Sequence, residues 1–82
     1  MIQILHIKKQ KGIAMKIALK KMLNNKPIKA TDRGLFYINR LYSTSYTHSQ
    51  NFYITSIRQD GFLSIEAESL YLSYYPLEYF QF

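Results

Sequence analysis

"NFYITSIRQDGFLSIEA", residues 51–67, is the stretch on which the fold turns. Two runs rich in β-branched and aromatic residues flank Asp60-Gly61, a dipeptide suited to the positive φ angles of a tight hairpin. Pairing Gln59 with Phe62 and working outward puts Phe52, Ile54, Leu63, Ile65 and Ala67 on one face, and Tyr53, Thr55, Glu66 and Glu68 on the other. The first set is the expected core, and a one-residue slip would exchange the faces.

Beyond the hairpin, "SLYLSYYPLEYFQF" predicts a last strand near residues 70–75, ended by Pro76, with Leu70 and Leu72 facing inward. Tyr79, Phe80 and Phe82, in the aromatic tail 77–82, are expected to close the core, or else to form a self-association or partner surface. Residues 43–51 read as a polar loop. Upstream, "PIKAT", the turn "TDRG" and "LFYINRLYS" read as another hairpin, so residues 27–76 are expected to be β-rich. In its second strand Leu35, Tyr37 and Leu41 alternate with Phe36, Ile38 and Tyr42, a pattern apolar on both faces and suited to a central strand.

Before Pro27 the period becomes helical. A helix over about 13–24 gathers Met15, Ala18, Leu19 and Met22 on one face with Leu23 at its margin, and Asn24 or Asn25 supplies the cap. Ile13 and Ile17 stack on the back of that helix among Lys16, Lys20 and Lys21. Residues 1–14 read in two ways. "IQILHI" suits a short strand over residues 2–7 that folds back over Ile13 and Ile17, followed by a basic turn ending at Gly12. Alternatively, Lys11-Gly12 can be spelled by a purine-rich ribosome-binding sequence ahead of Met15, which makes these residues a translated leader. The expected architecture is one α+β domain over 1–82: an N-terminal amphipathic helix packed on a four- to five-stranded, mainly antiparallel sheet.

A hydrophobic fraction of 48% with 16% aromatic residues is ample for a folded core in 82 residues. With no cysteine, disulfides, thiolate metal sites and cysteine nucleophiles are excluded. No apolar run approaches the roughly 20 residues of a membrane span, and a cytoplasmic protein without membrane partners is expected. His6 and His48 lack metal-ligand spacing, and neither can be assigned a nucleophile and oxyanion hole, so no metal, cofactor or catalytic residue is expected. Glu66 and Glu68 read as outward charges on a half-exposed strand.

Charge divides the chain sharply. Residues 1–40 hold ten of the eleven Lys/Arg and a single acid, Asp32, while residues 41–82 hold Arg58 against four acids. Basic residues interleaved with aromatics are the one chemistry-bearing pattern: Lys26, Lys29, Arg33 and Arg40 to neutralise phosphates, Tyr37, Tyr42 or Tyr46 to stack on bases. Together with Ile13, Ile17, Lys16, Lys20 and Lys21 they form the expected contact set. The order helix, Asn24-Asn25-Lys26, strand resembles small phage proteins that sequester nucleotide signals against host defence, over a short stretch and without a site to carry over. The expected function is therefore a small non-enzymatic protein-binding module, an inhibitor of a host defence protein or nucleoprotein from a phage or mobile element. Nucleic-acid binding by the basic half and a nucleotide-signal sponge are the alternatives, and a homodimer through an edge strand or the aromatic tail is compatible with each.

Overall fold

The computed structural model describes residues 2–68 and 70–82, with side chains from Gly12 onward apart from Ser69. Helix α1 (Ile2–Leu23) is followed by β1 (Lys29–Ala30), α2 (Asp32–Tyr42), β2 (Tyr53–Ile57), β3 (Phe62–Ala67), β4 (Leu70–Pro76), a 3-10 turn (Leu77–Tyr79) and β5 (Phe80–Gln81). The class is α+β with antiparallel pairing, as expected. The five strands do not form one sheet, however: β2-β3-β4 make a three-stranded sheet and β1-β5 a separate two-stranded one. Ile28 and Phe52 join them through a bridge, each N–H donating to the other's carbonyl at 2.8 and 2.9 Å.

The β2-β3 hairpin keeps its expected faces by a route the sequence does not display. Ile57 pairs with Leu63 and the Arg58 N–H donates to the Phe62 carbonyl at 2.9 Å, so the connection is Gln59–Gly61 instead of the two-residue Asp60-Gly61 turn. Gly61, at φ 89°, takes the left-handed position that ends such a loop. That displaces the register by one residue, and a bulge between Ile54 and Ser56 displaces it by one more. Two single shifts restore the parity, and Phe52, Ile54, Leu63, Ile65 and Ala67 are all buried. Leu72 joins them from β4, which has its own irregularity opposite Ser64.

Residues 2–7 are not a strand. They belong to α1, which runs without a break through Gly12. Gln, Lys, Leu and Met are good helix formers, and one glycine costs about 1 kcal/mol relative to alanine, too little to end a long helix. The strand expected to cover Ile13 and Ile17 is therefore replaced by a helical extension, and both side chains are exposed. Ala18 is buried, with Ala14, Met15 and Met22 packed beside it, whereas Leu19 and Leu23, expected inside or at the margin, face solvent. The C-terminus closes as expected. Asn25 adopts φ 53°, the Lys26 N–H donates to the Lys21 carbonyl at 2.8 Å, and the Asn25 N–H to the Met22 carbonyl at 3.1 Å.

The larger departure is α2, where a second hairpin strand was expected. "TDRG" is a helix start instead of a turn: the Thr31 hydroxyl accepts from the Gly34 N–H at 3.1 Å, and Asp32 lies in the first turn near the positive end of the dipole. Arg40 lies in the last turn, and Ser43 in the left-handed conformation ends the helix. Gly34, Leu35 and Ile38 are buried with Tyr42 half-buried, a helical spacing that the strand reading had split between two faces. Asn39 then pins the following loop: its Oδ1 accepts from the Thr44 hydroxyl at 2.8 Å and the Tyr46 N–H at 2.9 Å, and its Nδ2 donates to the Tyr46 carbonyl at 2.9 Å.

The tail closes the core as expected. Leu77 and Phe80 are buried, Tyr79 and Phe82 pack beside them, and Phe80 meets Phe52 edge-on at 6.2 Å. Among the described residues no helix is long and apolar enough to cross a membrane.

Candidate functional site

Once residues 32–42 are helical, the side chains that do not enter the core must share the opposite face. Leu35, Ile38 and Tyr42 point inward, so Arg33, Phe36, Tyr37, Arg40 and Leu41 line up outward at the i, i+3, i+4, i+7, i+8 spacing of one helix side. Phe36 is 59% exposed and Leu41 63%, large values for apolar side chains on adjacent turns.

This face is held in shape by ring contacts. Tyr37 stacks on Tyr79 with centroids 5.3 Å apart and planes 10° from parallel, and Tyr79 stacks in turn on Tyr75 at 6.0 Å. Phe36 meets Tyr37 edge-on at 5.8 Å. The Arg33 guanidinium lies 5.9 Å from the Tyr79 ring centre and that of Arg40 5.9 Å from Phe36. Each such contact is worth about 0.5–1 kcal/mol at an exposed site and limits the arginine to few rotamers. The ion pairs among the described residues are His48–Asp32 and Arg58–Asp60, so neither Arg33 nor Arg40 meets a carboxylate there. Each guanidinium therefore has an aromatic ring as its neighbour and no carboxylate among the described residues.

Arg33, Tyr37 and Arg40 of the expected contact set are thus brought together. Phe36 and Leu41, which join them, were missed because an alternating strand pattern was assigned to them. The signal available was the helical spacing 33, 36, 37, 40 directly after the Thr31-Asp32 start.

The other expected residues go elsewhere. Tyr42 faces inward and accepts a hydrogen bond from the Tyr75 hydroxyl at 3.1 Å, and Tyr46 packs edge-on against Phe52 at 5.5 Å. Burial holds the Tyr75 phenol well above its ordinary range, aided by the Tyr42 hydrogen bond, and burial with the nearby Glu68 carboxylate also raises that of Tyr46. Lys29 ties down the 43–51 loop through the Ser49 carbonyl at 2.8 Å and the Asn51 side chain. On α1, Ile17, Lys20, Lys21, Asn24 and Lys26 line an open depression of about 410 Å³, with Ile13 and Lys16 exposed one turn and less away. Lys20 and Lys21 occupy the last helical turn, where they offset the negative end of the dipole, so their placement has a structural cause of its own.

His48 reaches Asp32 at the start of α2 and links the loop to the helix. Among the described residues no group of three or more acidic or histidine side chains lies close enough to hold a metal ion. Comparison with family models, with curated proteins and with solved structures finds no match to this chain.

Proposed function

We propose that the protein is a small non-enzymatic protein-binding module that docks its partner on the outer face of α2 and acts by occupying that partner's surface, as an inhibitor does. One observation carries the proposal: exposed Phe36, Tyr37 and Leu41 are bracketed by two ring-supported arginines that meet no carboxylate among the described residues. Tyr and Arg are the residue types that dominate binding energy at protein interfaces, and burying a Phe or Leu side chain is worth about 1.5–3 kcal/mol. The complementary surface is an apolar cleft rimmed by Asp or Glu, which matches both the rings and the two guanidinium groups.

The test compares pull-downs from source-cell lysate with wild-type protein, a Phe36→Ala/Leu41→Ala variant and an Arg33→Glu/Arg40→Glu variant, followed by calorimetry with the purified partner. A partner lost with both variants is expected, with affinity reduced at least about tenfold. Equal capture by all three forms refutes the assignment. Binding to single-stranded DNA or RNA that falls steeply with salt and is abolished by the arginine reversal would replace the protein partner with a nucleic acid.

A further inference from the structure

The face of the β2-β3-β4 sheet turned away from the core carries a second, chemically different feature. Near the hairpin turn, the Arg58 guanidinium lies 4.9 Å from the Tyr74 ring centre and 5.7 Å from that of Phe62, and its Nη2 is 2.6 Å from the Asp60 carboxylate. A cation is there held by two rings and one carboxylate. One end of the sheet repeats the same ingredients. Tyr53 pairs with Glu66 across β2-β3, and Glu66 pairs with Tyr71 across β3-β4, so a carboxylate sits in register between two tyrosines on one face. Here, among the described residues, no side chain of the chain fills the cation's place: Glu66 has neither an ion-pair nor a side-chain hydrogen-bond partner.

Glu66 is half-buried and Tyr71 is 72% exposed, so the row is open to solvent on the β4 side. Two strand spacings separate the tyrosines by roughly 10 Å at the backbone. A cation midway then lies within the roughly 6 Å of each ring that this attraction requires, directly above the carboxylate. The alternating hydroxyls beside the row are already engaged with one another, Thr55 with Ser64 at 3.0 Å and Ser56 with Tyr74 at 3.2 Å. Among the described residues the Glu66 carboxylate is thus a charged group of that row that no cation meets, and its charge disfavours a phosphate chain.

We propose that Tyr53, Glu66 and Tyr71 form a clamp for one cationic side chain, an arginine or lysine presented by a partner protein. This site is separate from the α2 face in residues and in charge preference, so either can fail without the other. The geometry favours arginine, whose planar group stacks on a ring while its edge meets the carboxylate.

The test uses nuclear magnetic resonance titration of the intact protein with a short, otherwise uncharged and end-blocked peptide carrying a single arginine, and with the same peptide carrying lysine or citrulline. Shifts confined to the Tyr53, Glu66 and Tyr71 resonances are expected with arginine and more weakly with lysine, and none with citrulline, which keeps the shape without the charge. Glu66→Gln and Tyr71→Ala should each weaken arginine binding by about fivefold or more. Tyr71→Ala alters only an exposed side chain, so it remains informative if the Glu66 variant folds poorly. Equal response to citrulline, unchanged binding by Tyr71→Ala, or shifts produced by a single-stranded oligonucleotide and not by arginine would overturn the proposal.

Discussion

Replacing Gly34 with alanine tests the way α2 is seated. A Cβ at this position would lie 2.1 Å from the Tyr79 carbonyl oxygen and 3.0 Å from both its carbonyl carbon and its Cβ. The obstruction is chiefly backbone, so no rotamer change relieves it. The same Tyr79 carbonyl accepts the Thr31 N–H at 2.9 Å, and moving it strains or breaks that bond at the helix start. Overpacking costs about 1–3 kcal/mol. Loss of a hydrogen bond adds about 0.5–1.5 kcal/mol, and alanine returns at most about 1 kcal/mol of helix propensity. With that propensity returned in full, the balance is a loss of about 0.5–3.5 kcal/mol, or a melting temperature lower by roughly 2–28 °C in a domain of this size. Gly12→Ala supplies the opposite sign. It lies inside α1 with nothing within 4 Å of the added methyl, so the propensity gain of up to about 1 kcal/mol stands alone. Thermal and urea unfolding followed by circular dichroism measure both. Gly34→Ala as stable as the wild type would refute the close seating of α2 on the Leu77–Tyr79 turn.

Three further outcomes follow from the packing. Thr31→Ala removes the side-chain cap on the Gly34 N–H and should cost about 1 kcal/mol in urea unfolding, while Thr31→Ser should cost much less. Phe52→Ala removes a fully buried ring shared by the bridge to Ile28 and by contacts with Tyr46 and Phe80, and a loss of about 3–5 kcal/mol is expected, read as a collapse of the thermal transition. The phenols of Tyr46 and Tyr75 are raised above the ordinary 10.0, so the unfolded chain releases these protons first and stability should fall as pH rises past about 10. Below that pH the contribution is fully present, and Tyr75→Phe should flatten the alkaline decline seen in urea midpoints.

The hairpin of residues 51–67 was legible because its alternation is strict and one face is buried. Even an error in the turn left the inward set intact, since the loop and the bulge each shift the register by one. The end of α1 at Asn24-Asn25 was legible because capping depends on local chemistry, and the structure puts the left-handed residue at Asn25. Residues 32–42 were not, because Leu35 to Tyr42 is apolar at spacings that fit a two-faced strand as well as a helix. What separates the two is the Thr31 hydroxyl on the Gly34 N–H and the docking of Gly34 against Tyr79, a residue 45 positions away. The candidate surface inherited that ambiguity: its arginines and Tyr37 were visible as types, while Phe36 and Leu41 entered only with the helical phase.

By itself, then, the sequence determined the α+β class, the inward face of the central hairpin and the end of the first helix, since each follows from local propensity or from a period with one buried face. It left the aromatic tail open between closing the core and self-association. Tertiary structure decided between the helical and strand readings that residues 32–42 both fit, and it alone decided that the strands divide into two sheets and that Tyr53, Glu66 and Tyr71 share a row. Those features depend on which distant backbone a short segment meets, and a linear pattern carries no record of that meeting.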